Sequence, residues 1–264
     1  MTTMVLDSPV PAARKAGPIW LGLLLLSGMA WLATGLQARS MGVGPGTMDM
    51  APVVFVGMWT AMTAAMMWPG VAPQAVLETG ALPRRAAGAE HLSGVAAFVV
   101  GFLVPWAGYG GLAFLALLGT GGLVDASPTA AKWLGVAIFA VAGLYQFTPI
   151  KGTFLRHCRL SSTPPGAESN SLRENLSLGI RDGAICVGCC WAMMAIFLAV
   201  GVMNLIAMLG LFAVIVSEKL LPRPMLVTRT AGVAFLALAV VAAVHPSVLA
   251  GLHSAGEMMS MGGM

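Results

Sequence analysis

Charge is what this sequence lacks. Fourteen Lys plus Arg and ten Asp plus Glu in 264 residues make 9% charged, against roughly 25% in an ordinary soluble domain. A water-soluble globule of this length needs more polar residues to cover its surface. With 58% apolar residues, intrinsic disorder is excluded as well. Cysteine is also scarce, four in all, which excludes a disulfide scaffold. The net charge is only +4 and no dense basic stripe is present, so nucleic acid is not a partner. These absences leave a polytopic membrane protein whose first partner is the lipid bilayer.

Apolar runs are abundant. A spanning helix needs about 20 mostly apolar residues, and six runs qualify: Pro18 to Gln37, Pro52 to Leu77, Leu92 to Gly119, Ala131 to Thr148, Ala184 to Val216, and Met225 to Val244. None alternates as a β-barrel strand would. The first run is too long for a signal-peptide core and no clean cleavage site follows, so it reads as a retained anchor. The fifth is longer than needed and reads as one tilted helix or a span with an interfacial piece. The expected fold is therefore all-α, a polytopic transmembrane bundle of about six spans. A polar cytoplasmic tail (1–17) precedes a single membrane domain (18–244), and a Met-rich C-terminal tail (245–264) follows. With six spans, Arg14, Lys15, Arg84, Arg85, Lys151, Arg156, Arg159, Arg173 and Arg181 share one side, and Arg39, Lys132, Lys219, Arg223 and Arg229 the other. The richer side is expected to be cytoplasmic, with both termini there. The linker from Lys151 to Asp182, with its Ser161–Gly166 stretch, reads as irregular.

Sulfur is the chemistry within these runs. Methionine numbers 19. Three of the four cysteines lie in Cys186–Val187–Gly188–Cys189–Cys190. On a helix Cys186 and Cys190 are one turn apart with Cys189 beside them. The same face takes in Met193 and, on an unbroken helix, Asn204, Met208 and Glu218. In the second run Met58, Met62 and Met66 follow the i, i+4 rule, and Met67 points elsewhere with Thr60 and Thr63. Met66 lies about 21 Å from Pro52, a depth that matches the thiols on an antiparallel neighbour. A Met stripe is packing more often than ligand, whereas three thiols in about one turn is a rarer pattern. Thiolate and thioether donors select Cu(I), with zinc as the alternative. The expected metal ligands are Cys186, Cys189, Cys190, Met193, Met194, Met62, Met66 and Met67. Met48, Met50, Asn204 and Glu218 are secondary candidates. Glu218 and Lys219 read as a boundary pair, and Cys158 has no partner near it in sequence.

Three motifs carry a family resemblance: Trp59–Thr60–Ala61–Met62–Thr63–Ala64–Ala65–Met66–Met67–Trp68–Pro69; Tyr145–Gln146–Phe147–Thr148–Pro149–Ile150–Lys151 running to Cys158 and Arg159; and Cys186–Val187–Gly188–Cys189–Cys190–Trp191–Ala192–Met193–Met194. Over residues 20 to 240 the chain resembles a bacterial family described as predicted metal-binding integral membrane proteins. That family often carries a further Cys between Lys151 and Leu155, where this chain has Phe154. The resemblance implies metal binding in the bacterial inner membrane and names no substrate. Three functions stay open on the residues: handling of Cu(I) in transport, storage or delivery to a partner membrane enzyme or metal chaperone; a copper- or thiol-dependent oxidoreductase; and an accessory subunit of a membrane complex. No catalytic residue is assigned.

Overall fold

The computed structural model describes residue 25 and residues 27–36, 50–80, 89–160, 171–245 and 248–252. Helices make up the described chain, with no strand among the described residues. In chain order they are α1 (27–36), α2 (Pro52–Gly80), α3 (Ala89–Ala126), α4 (Pro128–Gln146), α5 (Pro149–Leu160), α6 (Leu172–Val200), α7 (Leu205–Leu220) and α8 (Pro224–Val244). A short 3-10 turn, Ala250–Leu252, follows. Five of the helices, α2, α3, α4, α6 and α8, are long and apolar enough to cross a membrane. The all-helical bundle expected from the sequence is therefore present. The 1–17 tail, the Ser161–Gly166 stretch and the Met-rich residues beyond Leu252 lie outside the described residues, as does most of the first apolar run.

Local signals set the helix starts. Ser127 caps α4 ahead of Pro128, its side chain accepting from the Ala130 amide. Ser171 accepts from the Glu174 amide at the start of α6, where Glu174 sits in the first turn. Glycine then sets the packing. Gly179 and Gly183 of α6 lie against the backbone of Phe98 and Phe102, and Gly101 of α3 lies against Leu176. A β-carbon at any of these positions would collide with main chain, so only glycine lets α3 and α6 approach this closely. Residue numbers rise together across that contact, ending with Tyr109 donating to the Trp191 carbonyl at 2.8 Å; α3 and α6 are parallel. By contrast α4 and α8 are antiparallel, with Gly143 against Leu236 and Gly232 against Phe147.

Two sequence expectations are corrected. Of the two forms expected for the fifth apolar run, the single tilted helix is ruled out: α6 ends at Gly201, whose φ of 92° favours glycine, and a new helix starts at Leu205. Asn204 caps it, its Oδ1 accepting from the Ala207 amide at 3.1 Å and its Nδ2 donating to the Val200 carbonyl at 3.3 Å. Both amide atoms of Asn204 thus serve this break, and α7 folds back antiparallel to α6. The linker after span four is not irregular throughout either, since Pro149–Leu160 is helix α5. Its Lys151, Leu155 and Cys158 recur at i, i+4 and i+7, and all three are buried.

The return of α7 changes the two ends of the bundle. Its C-terminus meets α5, where Arg159 donates to the carbonyls of Glu218 and Leu221 at 2.8 Å each. Lys219, Arg223 and Arg229 therefore share an end with Lys151, Arg156, Arg159, Arg173 and Arg181, not the opposite end as a six-span count implies. Of the nine described Lys and Arg residues, only Lys132 stands at the other end. The end of α8 lies there too, where Gly251 packs on Gly201, and Leu249 and Leu252 pack on Gly135.

Candidate metal centre

The basic end holds the sulfur. Helix α6 carries Cys186, Cys189 and Cys190, all within 1% of full burial. The Cys189 and Cys190 sulfurs are 3.1 Å apart. From α2, Met67 brings its thioether to 3.8 Å from the Cys186 sulfur. The periodicity of α2 favours Met58, Met62 and Met66 as one stripe, yet the methionine outside that stripe makes the contact. Met62, Met66, Met193 and Met194 are buried in the same core. Met50 is partly buried and packs against it, while Met48 lies outside the described residues.

Sequence reasoning missed the fourth thiol. Cys158 of α5 is buried within hydrogen-bonding reach of Cys186 and Cys189. Its contact with Cys186 draws the thiol pKa down, but the contact with Cys189 and burial outweigh this and push it up to about 12. The i, i+4, i+7 recurrence of Lys151, Leu155 and Cys158 was the available signal. Phe154, the residue at which this chain departs from the resembled family, lays its ring on Gly188, in the space a side chain would fill.

Three charges are buried around the thiols. Lys151 Nζ donates to Glu218 Oε2 at 2.8 Å and to the Cys189 carbonyl at 2.7 Å. Burial works against the Lys151 charge, but Cys189 and Glu218 outweigh it and raise its pKa. Glu218 is therefore paired with Lys151 across 67 residues, not with its neighbour Lys219. Lys219 instead donates to the Cys186 sulfur at 3.4 Å and is only 7% exposed. The Lys151–Glu218 pair is neutral as a unit, so one ammonium faces the sulfurs with no carboxylate paired to it among the described residues. Tyr145 steadies the thiol turn by donating to the Gly188 carbonyl at 2.5 Å and resting edge-on against Trp191.

The sequence model of the PpoB2 family, described as copper chaperone, matches residues 56–242. The chain belongs to the PpoB2 copper chaperone family. No curated protein and no solved structure matches it at a significant level. The matched range contains the Met motif of α2, all of α5 and the whole thiol cluster. The donor chemistry suits the cargo in the family's description: sulfur is soft, and calcium or magnesium would require oxygen ligands. Among the described residues no group of three or more His, Cys, Asp or Glu side chains is arranged, as it stands, so that it could hold a metal ion. The thiols instead bond one another and Lys219. Two sulfurs 3.8 Å apart, the Cys186–Met67 separation, still leave room between them for an ion with metal–sulfur bonds of about 2.3 Å.

Proposed function

We propose that this chain is a membrane-embedded copper chaperone that holds Cu(I) as cargo among Cys186, Cys189, Cys190 and Cys158, with Met67 as a thioether donor. Met62, Met66, Met193 and Met194 provide the surrounding sulfur-rich wall. The observation that carries this reading is the convergence of α2, α5, α6 and α7 on one buried cluster holding four thiols, a thioether and the Lys219 ammonium. Burying an ammonium without a counter-charge is costly. Cu(I) held by two thiolates carries one negative charge, which Lys219 balances. Zinc does not take thioether ligands in ordinary protein sites, so Met67 favours copper. Ion entry replaces S–H contacts with metal–sulfur bonds and releases the thiol protons. Exchange to a partner follows when one sulfur ligand at a time is replaced.

The membrane domain spans residues 18–244, with the 18–37 run as a further crossing. The basic end faces the cytoplasm of a bacterial inner membrane, following the bias of Lys and Arg. This places the thiols at the reducing side, where they stay unoxidised. The test is elemental analysis of the detergent-purified, Cu(I)-loaded full chain against its C186S/C189S/C190S variant. Wild type is expected to retain about one copper per chain and the variant only background. Background copper in the wild type overturns the reading.

A further inference from the structure

The thiol cluster lies near the C-terminal end of the α2 span, at the basic end of the bundle, so an ion arriving from the other face must cross the bundle to reach it. Helix α2 runs between those two levels. Along it, Met58, Met62 and Met66 stand at successive i, i+4 positions, at 6%, 1% and 0% exposure, turned into the protein and away from lipid. Successive members are about 6 Å apart along the axis. The series ends beside Met67, whose sulfur touches Cys186. At the non-basic end Met50 packs against the same core.

A second observation is that polar atoms on and beside α2 lack partners. Trp59 Nε1, Thr63 Oγ1 and Trp106 Nε1 are buried with no hydrogen-bond partner among the described residues. Trp59 stands at the edge of the methionine face and Thr63 on the next face of the same helix, and Trp106 lies one turn from Gly110, which packs on the Trp59 ring. Leucine would fill the same volume without thioether lone pairs, and orphaned donors oppose folding. The rings of Phe55, Trp59, Tyr109 and Trp106 contact one another in that order, in the same buried core as the three methionines.

We propose that Met58, Met62 and Met66 form a thioether path through which a soft monovalent cation travels from the non-basic face of the bundle to the thiol cluster. Each step exchanges one neutral thioether for the next, so the ion keeps its charge and no proton or electron moves until it meets the thiols. The proposal rests on the cluster being the copper site. It adds a route and a side of entry.

The experiment uses the full chain in sealed vesicles of each orientation, wild type against M58L, with Cu(I) supplied from a soluble chelator. Leucine preserves volume and apolar character. Equilibrium copper per chain is read after long exposure, and loading rate is read from each side separately. The path predicts unchanged equilibrium copper, a loading rate at least about tenfold slower from the non-basic face, and no change from the basic face. Equal rates from the non-basic face, with normal equilibrium copper, overturn the path and leave the thiol site standing. Copper lost at equilibrium in a folded variant makes Met58 a holding ligand and also overturns the path. Absence of copper from the wild type sinks both proposals. Met58 lies about 13 Å from Met67 along the helix, so M58L leaves every sulfur of the holding site in place; should M58L fail to fold, M58I serves as the second variant.

Discussion

Helices α6 and α8 are close in apolar character and are both long enough to cross a membrane, yet 67% of the most apolar 18 residues of α6 are buried inside the protein against 33% of those of α8. Helix α8 packs on α4 through Gly143 and Gly232 and leaves Val233, Val240 and Val244 exposed for lipid. On α6, Gly179 and Gly183 meet the backbone of α3 while Gly188 lies under the Phe154 ring. The rest of its buried surface includes the thiols of Cys186, Cys189 and Cys190 and the thioethers of Met193 and Met194. Hydropathy distinguishes lipid from water and cannot separate a central helix from a peripheral one. Glycine on several faces together with thiols marks the central helix, because only a helix enclosed on all sides can keep reactive side chains dry.

That contrast is tested most severely by the thiols. Replacing Cys186, Cys189 and Cys190 by Ser on α6 is expected to abolish copper retention, while Ala231→Ser on α8 leaves it unchanged, as measured by metal content per chain. Next comes packing. Gly183→Ala forces a methyl into the Phe102 backbone and is expected to cost about 1–3 kcal/mol. Gly232→Ala meets the rings and side chains of Phe147 and Gln146, which have more freedom to move, and costs less. Thermal unfolding in detergent ranks the two, and equal losses would break the comparison.

Lys219→Met sharpens it further. Removing an ammonium that has no carboxylate is expected to raise the melting temperature of the copper-free protein. The same change weakens Cu(I) retention about tenfold, or about 1.4 kcal/mol, read by chelator competition. A purely structural lysine would move both quantities in the same direction. The smallest expected effect is that of Cys158→Ser, a loss of a few-fold in Cu(I) affinity, because three thiols remain.

The all-helical class, the helices α2, α3, α4 and α8 long and apolar enough to cross a membrane, and the Cys186–Cys190 turn were all legible in the sequence. Each depends on composition or on spacing within one helix. What stayed hidden depends on distance in sequence or on a single backbone angle. The positive φ of Gly201 cuts the fifth apolar run in two, and a hydropathy window does not register it, although Gly201 followed by Asn204 has the stop-and-cap pattern of two helices. With α7 unrecognised, Lys219, Arg223 and Arg229 fell on the wrong side and the charge bias looked weaker than it is. Helix α5 was concealed because only one of its faces is apolar and basic residues flank it. Cys158 therefore looked solitary, and Glu218 looked like the partner of Lys219 when it reaches Lys151.

X-ray absorption at the copper edge of the Cu(I)-loaded full chain tests the central claim most directly. A shell of sulfur alone at about 2.3 Å is predicted, collapsing when the α6 thiols are replaced. Nitrogen or oxygen neighbours, or a spectrum indifferent to the loss of those thiols, would contradict it.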